Sequence, residues 1–93
     1  MKKIFILTVS LFILIFSLTT NTLSYNLDLG EKGKEVEKIQ RYLHDMGYDI
    51  SVDGVYGYKT REVVKDFQYN SGLNADGIVG DKTYNKIKNT ILN

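Results

Sequence analysis

The sequence predicts a small all-α module: three short helices joined by two nearly identical loops. Two observations carry this. The octapeptide DGVYGYKT, residues 53–60, returns 23 residues later as DGIVGDKT, residues 76–83, with five of eight letters identical in the frame DG-x-x-G-x-K-T. Around these loops apolar residues recur at helical spacing, and no proline interrupts them.

The first 24 residues stand apart. Met1-Lys2-Lys3 is a short basic start, Ile4 to Leu18 is an almost unbroken apolar run of 15 residues, and a polar stretch follows. Thr22 and Ser24 fit as the small residues of a cleavage site, which is the layout of a secretory signal peptide. The run is shorter than the ~20 residues a spanning helix needs. The expected organisation is a signal over 1–24 and one domain over 25–93, secreted without disulfides because the chain has no cysteine. Residues 25–93 carry 10 basic side chains (12 minus Lys2 and Lys3) against 11 acidic ones, a formal −1. That balance argues against nucleic acid or an anionic membrane as partner. All seven tyrosines lie in this part, so its aromatic surface is nearly all phenolic.

The helices follow in order. LDLGEKG, 27–33, reads as a turn-like lead-in. Val36, Ile39, Leu43 and Met46 recur at 3, 4 and 3, one face of a helix, with Glu35, Glu37, Lys38 and Arg41 off it. Gly47 stands where a left-handed cap is wanted, and Tyr48 can fold back behind it. Residues 49–58 have no helical period. A second helix runs through Thr60, Val63, Val64 and Phe67 to a stop at Gly72-Leu73. A third runs through Tyr84, Ile87 and Ile91. The repeat is larger than the octapeptide: Val36-x-x-Ile39-Gln40, Gly47-Tyr48 and Asp53-Gly54 are matched by Val64-x-x-Phe67-Gln68, Gly72-Leu73 and Asp76-Gly77. Such repetition suggests two stacked halves sharing a core. Gln40 and Gln68 read as buried amides satisfying loop backbone.

Three chemistries compete for the loops. Asp49, Ser51, Asp53 and Gly54 occupy positions 1, 3, 5 and 6 of a calcium loop, but the bidentate carboxylate needed at position 12 is Thr60, and Thr83 in the second copy. A phosphate-binding loop needs Gly and Lys adjacent, and Tyr58 and Asp81 intervene. The turn reading accounts for more: Asp accepts from local amides, Gly permits positive φ, Asp81 can cap the third helix, and the Thr hydroxyls can bond first-turn amides.

Taken together, Leu27-Asp28-Leu29-Gly30, Gly33, Val36, Ile39-Gln40, Leu43, Gly47-Tyr48, Asp53-Gly54-x-Tyr56-Gly57-x-x-Thr60, Val64, Phe67-Gln68, Gly72-Leu73 and Asp76-Gly77-Ile78-Val79-Gly80-x-x-Thr83 resemble the peptidoglycan-binding domain type 1 family over about residues 27–91. The resemblance implies a three-helix module that holds cell-wall hydrolases on peptidoglycan. Val63 departs from the small residue common at its position, and a standalone module is expected, with no catalytic domain in the sequence to target.

Catalysis is not expected. His44, the single histidine, reads as a solvated helix residue, and Asp53 and Asp76 are better explained as turn formers than as a carboxylate pair. No metal or cofactor is expected. For binding, tyrosine rings suit sugar faces and a helix start with basic residues suits carboxylates. The expected ligand set is Tyr48, Asp53, Tyr56, Tyr58 and Arg61, with Lys59 nearby. Tyr48 and Tyr56 read equally as core plugs, Tyr58 and Arg61 as exposed, and Tyr69 as a spare surface aromatic. The expectation is a secreted, wall-associated, monomeric peptidoglycan binder. The alternatives are a calcium-dependent, dockerin-like protein–protein module or an adaptor for a wall hydrolase.

Overall fold

The structure, a computed structural model, describes residues 24–92; apart from Ser24, the expected signal segment lies outside the described residues. The order is β1 (Asn26–Leu27), α1 (Lys34–Asp45), α2 (Tyr58–Asn70), β2 (Val79–Gly80) and α3 (Asp81–Leu92). The three helices match the periodicity. Among the described residues, none is long and apolar enough to cross a membrane.

Each helix is held by the face its spacing predicts. Val36, Ile39, Gln40 and Leu43 are the buried residues of α1, and Thr60, Val63, Val64, Phe67 and Gln68 those of α2. Ile87 is the fully buried apolar residue of α3. α1 packs on both other helices. With Leu27, Ile50, Tyr56 and Val79 these residues form one core. Each large apolar side chain in it contributes roughly 1.5–3 kcal/mol.

The helix stops are as the glycines suggest. Gly47 has φ +102°, and the Tyr48 amide reaches back to the Leu43 carbonyl at 3.1 Å. Leu73 does the same to Gln68 at 2.8 Å behind Gly72. Both are six-residue closures that satisfy carbonyls left over at a helix end. Tyr48 then folds back and meets Phe67 edge-on, ring centroids 6.3 Å apart.

Two features differ from expectation. β1 and β2 pair antiparallel, with Asn26 opposite Gly80 and Leu27 opposite Val79. Two residues per strand are too few for an alternating pattern to register. Among the described residues the one side-chain hydrogen bond at Asp81 is to Tyr25, whose amide donates to Oδ1 at 2.6 Å, so this carboxylate ties the start of β1 to the first turn of α3. Tyr25 also stacks on Tyr84 at 3.9 Å, and the N-terminal strap is thereby fixed to α3.

Candidate functional site

Both DG loops close on a buried glutamine. Gln40 Nε2 donates to Asp53 Oδ1 (3.0 Å), the Val55 carbonyl (2.9 Å) and Thr60 Oγ1 (3.0 Å). Its Oε1 accepts from the amides of Asp53 (3.0 Å) and Gly54 (2.8 Å). Gln68 repeats this with Asp76 Oδ1 (3.0 Å), the Ile78 carbonyl (2.9 Å), Thr83 Oγ1 (3.0 Å) and the Gly77 amide (2.8 Å). The glutamines satisfy loop backbone, as expected. The threonines do not act as first-turn caps; their hydroxyls accept from the glutamines, because a buried amide needs acceptors more than a helix start beside water does.

The structure separates the expected ligand set. Tyr56 is fully buried and its hydroxyl donates to the Gly77 carbonyl at 2.6 Å. It is a core plug joining one loop to the other and offers no ring face to a ligand, which corrects that expectation. Burial, with Asp28 and Asp76 adding to it, pushes its phenol well above the usual value. Tyr48 is half-buried, and its hydroxyl accepts from Asn70 Nδ2 at 3.2 Å, at the far end of α2. Tyr58 and Arg61 stand in the first turn of α2, roughly 18 and 13 Å away along the helix. Tyr58 is 75% exposed. Arg61 is half-buried, its stem lying over Gly77. Asp53 has its Oδ1 committed to the Val55 amide and to Gln40, which hold its carboxyl below the usual range. His44 is exposed beside Asp45. Lys59 faces Asp49 at 3.7 Å.

Nothing here favours the calcium loop. Asp53 Oδ1 and Thr60 Oγ1 are used inside the loop, and Asp49 is fully exposed beside Lys59. Among the described residues no three His, Cys, Asp or Glu side chains are grouped to hold a metal.

Sequence reading missed a cleft of about 520 Å³ between the strap and the helices, lined by Tyr25, Leu27, Glu35, Lys38 and Tyr84. Its polar groups already answer one another. Tyr25 hydroxyl donates to Glu35, Lys38 Nζ lies 3.2 Å from Tyr84 hydroxyl and 3.5 Å from Glu35, and the two rings cover each other. A second groove of similar size runs along the Gln68 loop, past Leu73, Asn74, Asp76 and Lys82.

This architecture has relatives. Residues 32–87 match the family described as "Putative peptidoglycan binding domain". The chain belongs to this family. Its similarity to the spore cortex-lytic enzyme of Halalkalibacterium halodurans is 33% identity over 95% of this chain and 28% of that protein. The zinc D-Ala-D-Ala carboxypeptidase of Streptomyces albus G is 38% identical over 71% of this chain and 27% of its own length. Among solved structures, the SleB N-terminal domain superposes with TM-score 0.69 at 33% identity, covering 71% of this chain and 92% of that one. The chain spans less than a third of the length of the curated relatives it matches. The peptidoglycan-binding fold is therefore one this chain shares with the N-terminal domain of SleB.

Proposed function

We propose that this peptidoglycan-binding module acts outside the cell as a non-catalytic, monomeric binder of wall peptidoglycan, with its contact at the start of α2. The observation that carries the placement is that Tyr58 and Arg61, alone of the expected set, bring a free phenolic ring and a guanidinium to one surface. A carboxylate of the polymer approaching them also meets unpaired amides of the helix start. Asp53 supports this site from behind by closing the loop that leads into the helix. A wall hydrolase as partner would fit the company the fold keeps, the module supplying attachment and the enzyme the chemistry. A single site of this kind binds weakly, with Kd of roughly 10 µM to 1 mM, because it lacks the avidity of linked copies.

Co-sedimentation with protein-free sacculi, in calcium and in EDTA, tests the reading. The protein is expected to pellet in both, and Arg61→Gln to pellet less. A folded protein that stays in the supernatant would mean the fold serves a protein partner. Pelleting that disappears in EDTA would return the calcium loop.

A further inference from the structure

α2 shows two large tyrosines to solvent. Tyr58 is 75% exposed and Tyr69 is 79% exposed. Eleven residues separate them, three helical turns plus about 20°, so they share one face roughly 16 Å apart along the axis. That face lies opposite Thr60, Val64 and Phe67, which are buried. Between the tyrosines Arg61 and Lys65 form one flank, and Glu62 and Asp66 the other. Arg61 and Lys65 both rest on Gly77, where an added Cβ would meet their Cγ atoms at 2.8 and 3.1 Å. Their stems are thus seated on the second loop, and both residues remain partly exposed.

The charges differ from those of α1. There Lys34, Glu35, Glu37, Lys38 and Arg41 all lie within 4.0 Å of an opposite charge, at i,i+3 or i,i+4 spacing. Glu62 and Lys65 have the same spacing, yet among the described residues no opposite charge lies within 4.0 Å of Arg61, Glu62, Lys65 or Asp66.

We infer that the outer face of α2 is a linear site for an extended, carboxylate-bearing glycan strand, with Tyr58 and Tyr69 stacking on sugar rings three turns apart and Arg61 and Lys65 meeting carboxylates between them. This rests on the peptidoglycan reading above and extends its site by Lys65 and Tyr69. The occupant follows from the chemistry of the face. No aliphatic side chain lies between the tyrosines, whereas the centre of a protein interface is depleted of charge. Glu62 and Asp66 would repel the closely spaced phosphates of a nucleic acid. A sugar polymer with spaced carboxylates can use both rings and the cationic flank.

The test compares the purified protein with Tyr69→Ser, Lys65→Gln and, as a control on α1, Arg41→Gln. Each is titrated with intact sacculi, with glycan strands stripped of stem peptides, and with a single soluble disaccharide. Tyr69→Ser is expected to weaken binding to sacculi and long strands by roughly threefold to tenfold, with disaccharide binding unchanged. Lys65→Gln should weaken sacculus binding similarly, the loss shrinking at high salt, and Arg41→Gln should bind as the parent. If the Lys65 effect persists on stripped strands, whose sugar carboxyls are freed when the stem peptides are cut away, a carboxylate on the strand suffices; if it appears only with intact sacculi, the carboxylate belongs to the stem peptide. Either outcome supports the site. Parent-like sacculus binding by both variants overturns it and leaves the peptidoglycan reading standing. So does equal loss on the disaccharide, which would place Tyr69 in a compact pocket. Failure of the parent to pellet removes the reading beneath and this site with it. All three substituted positions are partly or fully exposed, so thermal melts should stay close to the parent.

Discussion

The two DG loops share all but one of their glutamine hydrogen bonds and are covered by different neighbours. In the first, Gln40 holds the Asp53 and Gly54 amides, and Gly54 is half-buried against the lead-in, its carbonyl accepting from the Gly33 amide at 2.9 Å. In the second, Gln68 holds the Gly77 amide, and Gly77 is buried under Arg61 and Lys65 with its carbonyl taking the Tyr56 hydroxyl. Gly77 has φ +76°, so both its backbone shape and its missing side chain are used. The octapeptide thus encodes the closure of each loop. What differs is how each closure is shielded, and that is decided by residues outside the loop concerned.

The largest expected effects come from removing the closures. Gln40→Ala leaves two part-buried amides without their acceptor and Gln68→Ala one buried amide, each with a threonine hydroxyl that loses its donor, at about 3 kcal/mol or more. That is a large share of the stability of so small a domain. Gln40 makes more bonds, but Gly77 is more deeply covered than Gly54. Gln68→Ala is therefore expected to cost more, because water can replace the lost side chain in the first loop and not in the second. Urea titration of both variants decides this. The reverse order would show that the number of bonds, not access of water, controls the cost.

A smaller effect tests the link between the loops. Tyr56→Phe removes only the hydroxyl and leaves the Gly77 carbonyl without that donor. About 1–2 kcal/mol of stability should be lost, read as a lower urea midpoint with an unchanged slope. The corresponding position of the second copy is Val79, which sits in β2 opposite Leu27 and reaches no carbonyl with its side chain. The cross-link therefore runs one way. A Tyr56→Phe protein as stable as the parent would mean that the 2.6 Å bond is matched by hydration in the unfolded chain.

These asymmetries mark what was legible in the sequence. Helix faces, the stops at Gly47 and Gly72, and the burial of Gln40 and Gln68 depend on spacing within one element, and the sequence spells that spacing directly. The fate of the tyrosines does not. Tyr48 and Tyr56 both follow a glycine-containing turn, but Tyr56 joins the core, where its hydroxyl finds the Gly77 carbonyl 21 residues on. Arg61 reads as exposed, yet its stem is half-buried for the same reason: the second loop lies beneath it. Thr60 and Thr83 look like capping residues until the glutamines from the preceding helices arrive. For the candidate site, the eleven-residue spacing of Tyr58 and Tyr69 was countable. Its meaning needed the buried side of α2, and the unpaired charges between the rings needed the structure.

The smallest expected effect concerns acid and the more exposed loop. Asp53 accepts from the Val55 amide and from Gln40, and these bonds hold its carboxyl below the usual range. A depressed folded pKa adds stability at pH above the unfolded value, near 3.9. That contribution is lost as pH falls through the lower, folded value. Glu35 acts in the same direction, held low first by the Tyr25 hydroxyl and also by Lys38. The urea midpoint should therefore fall as pH drops from about 5 toward 2. Asp53→Asn keeps an oxygen for the Val55 amide but carries no titrating charge, so it should lower stability at neutral pH and flatten part of the acid limb. Glu35→Gln should flatten a separate part, since the strap and the loop share no partner. If Asp53→Asn shifts the whole curve down without changing its acid slope, the carboxylate serves the loop by shape alone, and the two DG loops differ in covering but not in charge.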